Sequence, residues 1–180
     1  MRPYQQVPFQ FSLHWQPAPG AKPEHYAFLA DGSSDPRPEF LIRLRDCIGD
    51  KGTIVVYNAK FEKGVLDGLV DAFPKHAGWI DGVEARIIDL LEPFQSFDYY
   101  HGEQHGSASI KAVLPVLTGH SYTDLEIQEG GTASLEYLRV TFSDVAGDER
   151  QRVRQQLERY CGQDTEGMIW IVDAVRKLTA

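Results

Sequence analysis

The sequence predicts an α/β fold of three layers with a mixed sheet, and the order of its patterns is the reason. Two strand patterns come first, at 8–15 and 25–30, and a strand–helix–strand alternation follows at 53–89. The later patterns, from 110 to 178, have the period of helices. Strands first, alternation next and helices last is an order that suits helices packed on the faces of one sheet.

The first two strands are predicted to form a hairpin. Residues 8–15 alternate polar and apolar side chains, which is typical of a strand with one face in water. Pro19 and Gly20 mark a turn, and the stretch 25–30 supplies the second strand.

The middle of the chain alternates between helix and strand. Apolar residues at helical spacing predict helices over 40–48 and 61–73. The β-branched run at 53–57 is typical of a buried central strand. The segment 83–91 fits either a strand or a helix, and we favour a short strand at 86–89.

The last part of the chain is predicted to be helical. An aromatic loop is expected at 94–100, and Ser109 is a suitable N-cap for a helix over 110–117. Two further helices are predicted over 130–144 and 148–178.

Length and composition indicate one globular domain spanning 1–180. The chain is 42% hydrophobic and has a formal net charge of −8. This charge argues against nucleic-acid binding by a basic surface alone, but a metal-dependent nuclease is still possible because bound cations invert the local field.

Cys47 and Cys161 are expected to be reduced thiols. No apolar run reaches the ~20 residues of a membrane span, and residues 1–6 lack the apolar core of a signal peptide, so we expect a cytoplasmic protein with no membrane partner.

The first motif with a chemical meaning is Tyr57–Glu62, directly after the apolar run Thr53–Val56. It places Asn58 and Glu62 four residues apart, on one face of a helix or of a strand-to-helix junction.

A second motif, Tyr160–Asp164, lies about a hundred residues further on in a helical pattern and has the same i, i+4 spacing. Two carboxylates brought together near a tyrosine and an asparagine suggest a site for hard divalent cations and phosphate esters.

These motifs resemble those of a known superfamily. Val55–Glu62 resembles the second motif of the DEDD 3′–5′ exonucleases, in which an apolar strand ends in asparagine and an aromatic residue precedes an acid. Tyr160–Asp164 resembles the third motif of the tyrosine branch, with Arg86–Leu90 between the two. Nearly the whole chain also resembles an uncharacterised bacterial family of exonuclease-like domains, most clearly at Arg2–Ser12. The resemblance implies a ribonuclease-H-like fold.

The resemblance implies a role for each residue of a metal-dependent 3′–5′ exonuclease acting on single-stranded DNA or RNA. Two Mg²⁺ or Mn²⁺ ions would be held, the first by Asp164 and the second by Glu62 through water. Tyr160 would orient the attacking water, and Asn58 would contact the substrate or the backbone.

Two further residues are candidates for substrate contact. Phe61 directly precedes Glu62 in the first motif. Lys111 lies near the start of the helix over 110–117, where it could add positive charge for a phosphate.

The chain departs from the superfamily pattern in two ways. The opening Asp-x-Glu motif is absent from both early strands, and in the resembled family it would lie just upstream of Arg2. Glu62 also stands where most members carry aspartate. We therefore expect a fold lacking its first strand, inactive by itself, with a groove that allows a homodimer.

Structural roles remain open for most candidates. Asn58 could simply cap the following helix, and Tyr160 could be a core aromatic. Asp89 could belong to the site or act as an N-cap, and Lys111 could serve solubility. Glu62 and Asp164 could be solvated helix charges.

Other residues carry weaker signals. The aromatic loop at 94–100 could stack unpaired bases or pack over the sheet. His14, His101 and His105 have no partner at metal spacing.

A second function also remains open, namely a non-catalytic ribonuclease-H-like module that binds nucleic acid or assists assembly. A third is an unrelated α/β enzyme.

Overall fold

The computed structural model describes residues 6–179, and this part of the chain is a mixed α/β structure. Its strands are β1 (Gln10–Trp15), β2 (Glu24–Leu29), β3 (Ile54–Val56) and β4 (Ile87–Asp89). Its helices are α1 (Arg37–Ile48), α2 (Ala59–Ala72), α3 (Ala77–Glu84), α4 (Glu92–Gln95), α5 (Ile110–Thr118), α6 (Gly130–Phe142) and α7 (Gly147–Thr179). The stretch Arg2–Ser12, on which part of the resemblance rests, lies partly outside the described residues.

The predicted hairpin is confirmed. β1 and β2 pair antiparallel in register from Gln10 opposite Leu29 to Trp15 opposite Glu24. The N–H of Ala30 donates to the carbonyl of Phe9 at 2.8 Å and extends the ladder by one bond.

The short strand predicted at 86–89 is confirmed as β4. β3 and β4 run parallel, with Ile54 opposite Ile87 and Val56 opposite Asp89. Parallel strands need a crossover, which α2, a 3₁₀ turn over Pro74–His76 and α3 provide. The helix α3 was not predicted, since two glycines in eight residues weaken its helical pattern.

The predicted single mixed sheet is not seen among residues 6–179. Their four strands form two separate two-stranded sheets, β1–β2 and β3–β4. The second edge of β1 and the second edge of β3 are not paired with any other described strand, so nothing joins the two sheets by hydrogen bonds. The α/β class is confirmed at this coarser level.

Three hydrophobic clusters surround the sheets. The first joins the hairpin to α1, α2 and α3 and has Leu41 and Leu69 at its centre. The second lies between α6 and the first half of α7, around Val140 and Leu157, and the third lies between α5 and the second half of α7.

The 33-residue helix α7 passes along both the second and the third cluster. Tyr160, near its middle, packs against both of them. No helix within residues 6–179 has a stretch long and apolar enough to cross a membrane.

Candidate functional site

The structure brings Glu62 and Asp164 together. Glu62 lies in the first turn of α2, and Asp164 lies near the middle of α7. Burial raises the pKa of Glu62, and the negative charge of Asp164 raises it further, so the two carboxylates lie within electrostatic reach of each other. Two motifs separated by about a hundred residues in sequence therefore lie near enough in space for their carboxylates to interact electrostatically.

Asp89 fixes the start of α2 and thereby the position of Glu62. Its Oδ1 accepts the N–H of Asn58 at 2.9 Å, and its Oδ2 accepts the N–H of Ala59 at 2.7 Å. The Oδ1 atom also accepts the N–H of Leu91 at 2.9 Å. A carboxylate at a helix N-terminus satisfies donors that have no partner within the helix. Asp89 itself ends β4 and occupies no N-cap position, so the N-cap role considered for it is not observed. Its carboxylate instead binds the start of α2 across the β3–β4 sheet.

Asn58 occupies the N-cap position of α2 in the left-handed conformation, with φ at 80°. Its side chain makes no capping hydrogen bond, so the simple capping role considered for it is not observed. Asn58 is exposed, and Phe61 one turn later is 54% exposed. Both side chains are therefore accessible to a ligand beside Glu62.

Asp164 is held in a pocket of tyrosines. The hydroxyl of Tyr122 donates to its Oδ1 atom at 2.6 Å. Burial raises the pKa of Asp164, while Tyr122, Tyr160 and the positive charge of Lys111 favour its charged form and oppose that rise. The carboxylate is thus half-buried and already surrounded by groups that stabilise its negative charge.

Tyr122 is a site residue that the sequence did not indicate. It is only 5% exposed, and burial raises the pKa of its hydroxyl, with the charge of Asp164 adding to the rise. It lies in the irregular segment between α5 and α6, where no periodic pattern marks it. An aromatic residue between two hydroxyl residues, Ser121 and Thr123, is the one local signal it offers.

Lys111 joins the same group of side chains. Its Nζ atom lies 6.0 Å from the ring centroid of Tyr122 and 5.8 Å from that of Tyr160, which is the range of a cation–π contact. The solubility role considered for Lys111 does not account for these contacts. Ser109 occupies the N-cap position of α5 as predicted, although its side chain makes no capping hydrogen bond.

Tyr160 and Cys161 complete the surroundings. Burial, followed by the charge of Asp164, raises the pKa of Tyr160, so its hydroxyl is neutral and can donate a proton. Burial also raises the pKa of the Cys161 thiol to about 12, and the charges of Asp164 and Glu62 contribute. Both groups therefore stay protonated near neutral pH and add no charge to the carboxylate pair.

The carboxylate pair suits a hard divalent cation. Two half-buried like charges repel each other, and a cation between them would remove that repulsion. Oxygen ligands from carboxylates and water are what Mg²⁺ prefers. Among residues 6–179, however, no cluster contains three or more histidine, cysteine, aspartate or glutamate side chains in an arrangement for metal binding. Glu62 and Asp164 would thus supply part of a coordination shell.

Two of the histidines singled out in the sequence, His14 and His101, have partners other than Glu62 and Asp164. His14 stacks on His25 with ring centroids 4.4 Å apart, and its Nδ1 atom bonds the Thr165 hydroxyl at 2.8 Å. His101 accepts the N–H of Glu103, and His105 is exposed.

Comparison with known proteins matches the chain to a protein family. A family model described as a domain of unknown function (DUF2779) matches residues 1–109. No curated protein and no solved structure matches the chain. The matched part contains β1 to β4 together with Asn58, Phe61, Glu62 and Asp89, whereas Lys111, Tyr122 and Asp164 lie beyond it. The match covers more than half of the 180 residues, and the chain therefore belongs to the DUF2779 family.

Proposed function

We propose that the chain is a metal-dependent 3′–5′ exonuclease-like domain that acts on single-stranded DNA or RNA. The observation that carries the proposal is the meeting of Glu62 and Asp164 beside Tyr160. These are the acidic and tyrosine positions of the two motifs that resemble the DEDD superfamily. The exonuclease hypothesis requires that these positions lie close together in space.

The residues present would divide the work as follows. Asp164 and Glu62 would hold Mg²⁺ or Mn²⁺, which supplies an activated water and stabilises the leaving oxygen when bound. Tyr160, with a neutral hydroxyl, would orient that water. Lys111 would favour the approach of a phosphate to the carboxylates, and the exposed ring of Phe61 would offer a face on which a base can stack.

The proposal includes a ribonuclease-H-like arrangement of the strands. Its support is an antiparallel hairpin, a parallel pair joined by a helical crossover, and α7 packed against both. A further strand between the second edges of β1 and β3 would join the four into one mixed sheet. In the resembled superfamily that strand carries Asp-x-Glu, which would bring the acid count to four and activate the domain.

A second candidate function is a non-catalytic nucleic-acid-binding or assembly module of the same fold. It is favoured by the small donor set, since Glu62 and Asp164 are without a third metal-ligating partner among residues 6–179. The two candidates agree on the fold and differ on whether phosphodiester bonds are cut.

Mn²⁺ binding and nucleic-acid degradation together test the proposal. Binding to the isolated chain would be followed by the Mn²⁺ electron paramagnetic resonance signal, for wild type, Glu62→Gln and Asp164→Asn. We expect both substitutions to weaken binding by about tenfold or more, because each removes one charged ligand. The matched controls are Asp67→Asn on α2 and Glu158→Gln on α7, two exposed carboxylates whose loss should leave binding unchanged.

Degradation would be measured on end-labelled single-stranded DNA and RNA. The chain would be compared with a version preceded by a strand that carries Asp-x-Glu, and with the Asp164→Asn variant of that version. Mn²⁺-dependent shortening from the 3′ end by the extended wild type alone would support the exonuclease. Mn²⁺ binding without shortening by a folded extended protein would favour the non-catalytic module, and full activity of Asp164→Asn would overturn the metal assignment.

A further inference from the structure

A cleft lies on another side of α7 from the carboxylate pair. This cleft of about 550 Å³ opens between the last turns of α7 and the end of α5 with the turn that follows it. Its lining is aromatic, aliphatic and basic, and includes Tyr99, Thr118, His120, Trp170, Ala174 and Lys177.

This cleft is distinct from the carboxylate pair. Trp170 follows Asp164 by six residues on the same helix, which corresponds to roughly 9 Å along the axis and a rotation of roughly 120° away from it. The lining residues Trp170, Ala174 and Lys177 share one helical face. None of Glu62, Asp164 or their tyrosine neighbours lines the cleft.

The cleft contains a preformed aromatic surface. The rings of His120 and Trp170 stack with centroids 4.0 Å apart and an interplanar angle of 24°. His120 is further held by its backbone N–H, which donates to the Thr118 hydroxyl at 3.2 Å. Tyr99 packs edge-on against the buried Phe94 at 6.0 Å. A flat ligand would thus meet aromatic side chains that neighbouring groups already orient.

The charge of the lining has the opposite sign to that of the molecule. Its basic side chains are Lys177 and His120, and no carboxylate is among its lining residues, whereas the chain as a whole has a net charge of −8. The nearby Asp173 of α7 pairs with Arg176 at 3.9 Å. A cationic spot on an acidic protein is where an anion would bind.

We propose that this cleft binds a nucleoside monophosphate unit, with the base against the Trp170–His120 stack and the phosphate beside Lys177. Its volume falls in the range of small-ligand sites, roughly 300–1,000 Å³. Base stacking on aromatic rings tolerates any base, because every base has a π face. The unit can be a free nucleotide or the end of a single strand, and the site does not depend on the proposed metal chemistry.

Binding of AMP, measured by isothermal titration calorimetry in EDTA, tests the proposal. The variants are His120→Ala, which removes an exposed ring, and Lys177→Gln, which removes an exposed charge. We expect each to weaken AMP binding by at least about fivefold. The matched control Lys51→Gln removes an exposed lysine from a distant loop and should have no effect. Circular dichroism would verify that every variant is folded.

Binding of further ligands shows which part of the nucleotide the cleft recognises. Adenosine and inorganic phosphate should each bind more weakly than AMP; equal affinity of either, or equal AMP affinity of all variants, would overturn the nucleotide assignment. A single-stranded hexanucleotide that binds more tightly than AMP, with the same sensitivity to His120→Ala, would identify the end of a strand as the ligand. Affinity equal to that of AMP would identify the free nucleotide.

The Asp164→Asn variant keeps the two proposals apart. It should bind AMP like wild type, since Asp164 does not line the cleft. If the chain does not bind Mn²⁺, the nucleotide proposal still stands. If the chain does not bind AMP, the metal proposal still stands.

Discussion

At the scale of single residues, Glu62 and Asp164 oppose the stability of the fold in the absence of a cation. The folded-state pKa of each carboxylate is raised, with burial as the main cause. A raised pKa means that the folded protein binds the proton more tightly than the unfolded chain does. The resulting stabilisation is present at low pH and is lost as the pH rises through the folded-state pKa.

Glu62→Gln is expected to raise the free energy of unfolding at pH 7 to 8 in EDTA. Glutamine keeps the shape of the side chain and removes the charge that burial and Asp164 disfavour. The difference from wild type should shrink towards pH 4, where Glu62 is protonated. Urea titrations at several pH values measure this, with the exposed Asp67→Asn as control. A lower stability of Glu62→Gln at pH 7 would contradict the assignment.

The sequence could predict some of these residues and not others. Asn58 and Glu62, like Tyr160 and Asp164, are four residues apart, so helical geometry alone places each pair on one face. The role of Asp89 could not be foreseen, because it acts on backbone N–H groups about thirty residues earlier through the pairing of β3 with β4.

At the scale of elements, two glycines make the helix α2 less stable than its surroundings require. Gly64 and Gly68 lie within it, and a Cβ atom at either position would meet nothing within 4 Å. Glycine in a helix is less stable than alanine because its unfolded backbone has more freedom. Gly167 of α7 differs, since a Cβ atom there would lie 3.3 Å from the Leu114 side chain of α5.

Gly68→Ala is expected to stabilise the protein by about 0.5–1 kcal/mol. Gly167→Ala should gain less or destabilise, because the contact between α5 and α7 must widen to accept the methyl group. Thermal unfolding of the two variants beside wild type measures the difference. Equal stabilisation by both would show that α5 and α7 are not closely packed at this point.

Element prediction worked where the pattern was long or strongly β-branched. The helices α5, α6 and α7 were foreseen within two residues at each end, since their apolar residues recur at helical spacing. The short helix α4 falls at the edge of the region expected to be an aromatic loop, because four residues give too little periodicity to detect.

At the scale of the whole molecule, shared residues connect the three hydrophobic clusters. Phe28 of β2 packs against the first and second clusters, and Tyr160 of α7 packs against the second and third. Clusters connected in this way should unfold together rather than one by one.

Leu69→Ala is expected to lower the free energy of unfolding by about 2–5 kcal/mol, because Leu69 is fully buried in the first cluster. The loss should appear equally in far-ultraviolet circular dichroism and in the fluorescence of Trp170, which packs against the third cluster. A variant that keeps Trp170 as the sole tryptophan would isolate that signal. A midpoint for Trp170 that does not move with the helical signal would show that the clusters unfold independently.

The division of the strands into two sheets could not be predicted from the sequence. Strand patterns report which residues alternate between two faces, and they do not report which edges find a partner. Each pair by itself has a local signal in the sequence. The antiparallel pair β1–β2 follows from the turn at Pro19 and Gly20, and the parallel pair β3–β4 follows from the helical crossover.

The surroundings of the two cysteines have a practical consequence for the behaviour of the protein towards alkylating and oxidising reagents. Burial raises the pKa of both Cys47 and Cys161, so little of either is thiolate at neutral pH. Cys47 packs against the first cluster, and Cys161 lies beside the carboxylate pair. Each thiol should therefore react more slowly in the folded protein than an exposed cysteine, and faster when its own part of the molecule opens, so the two together report on local opening.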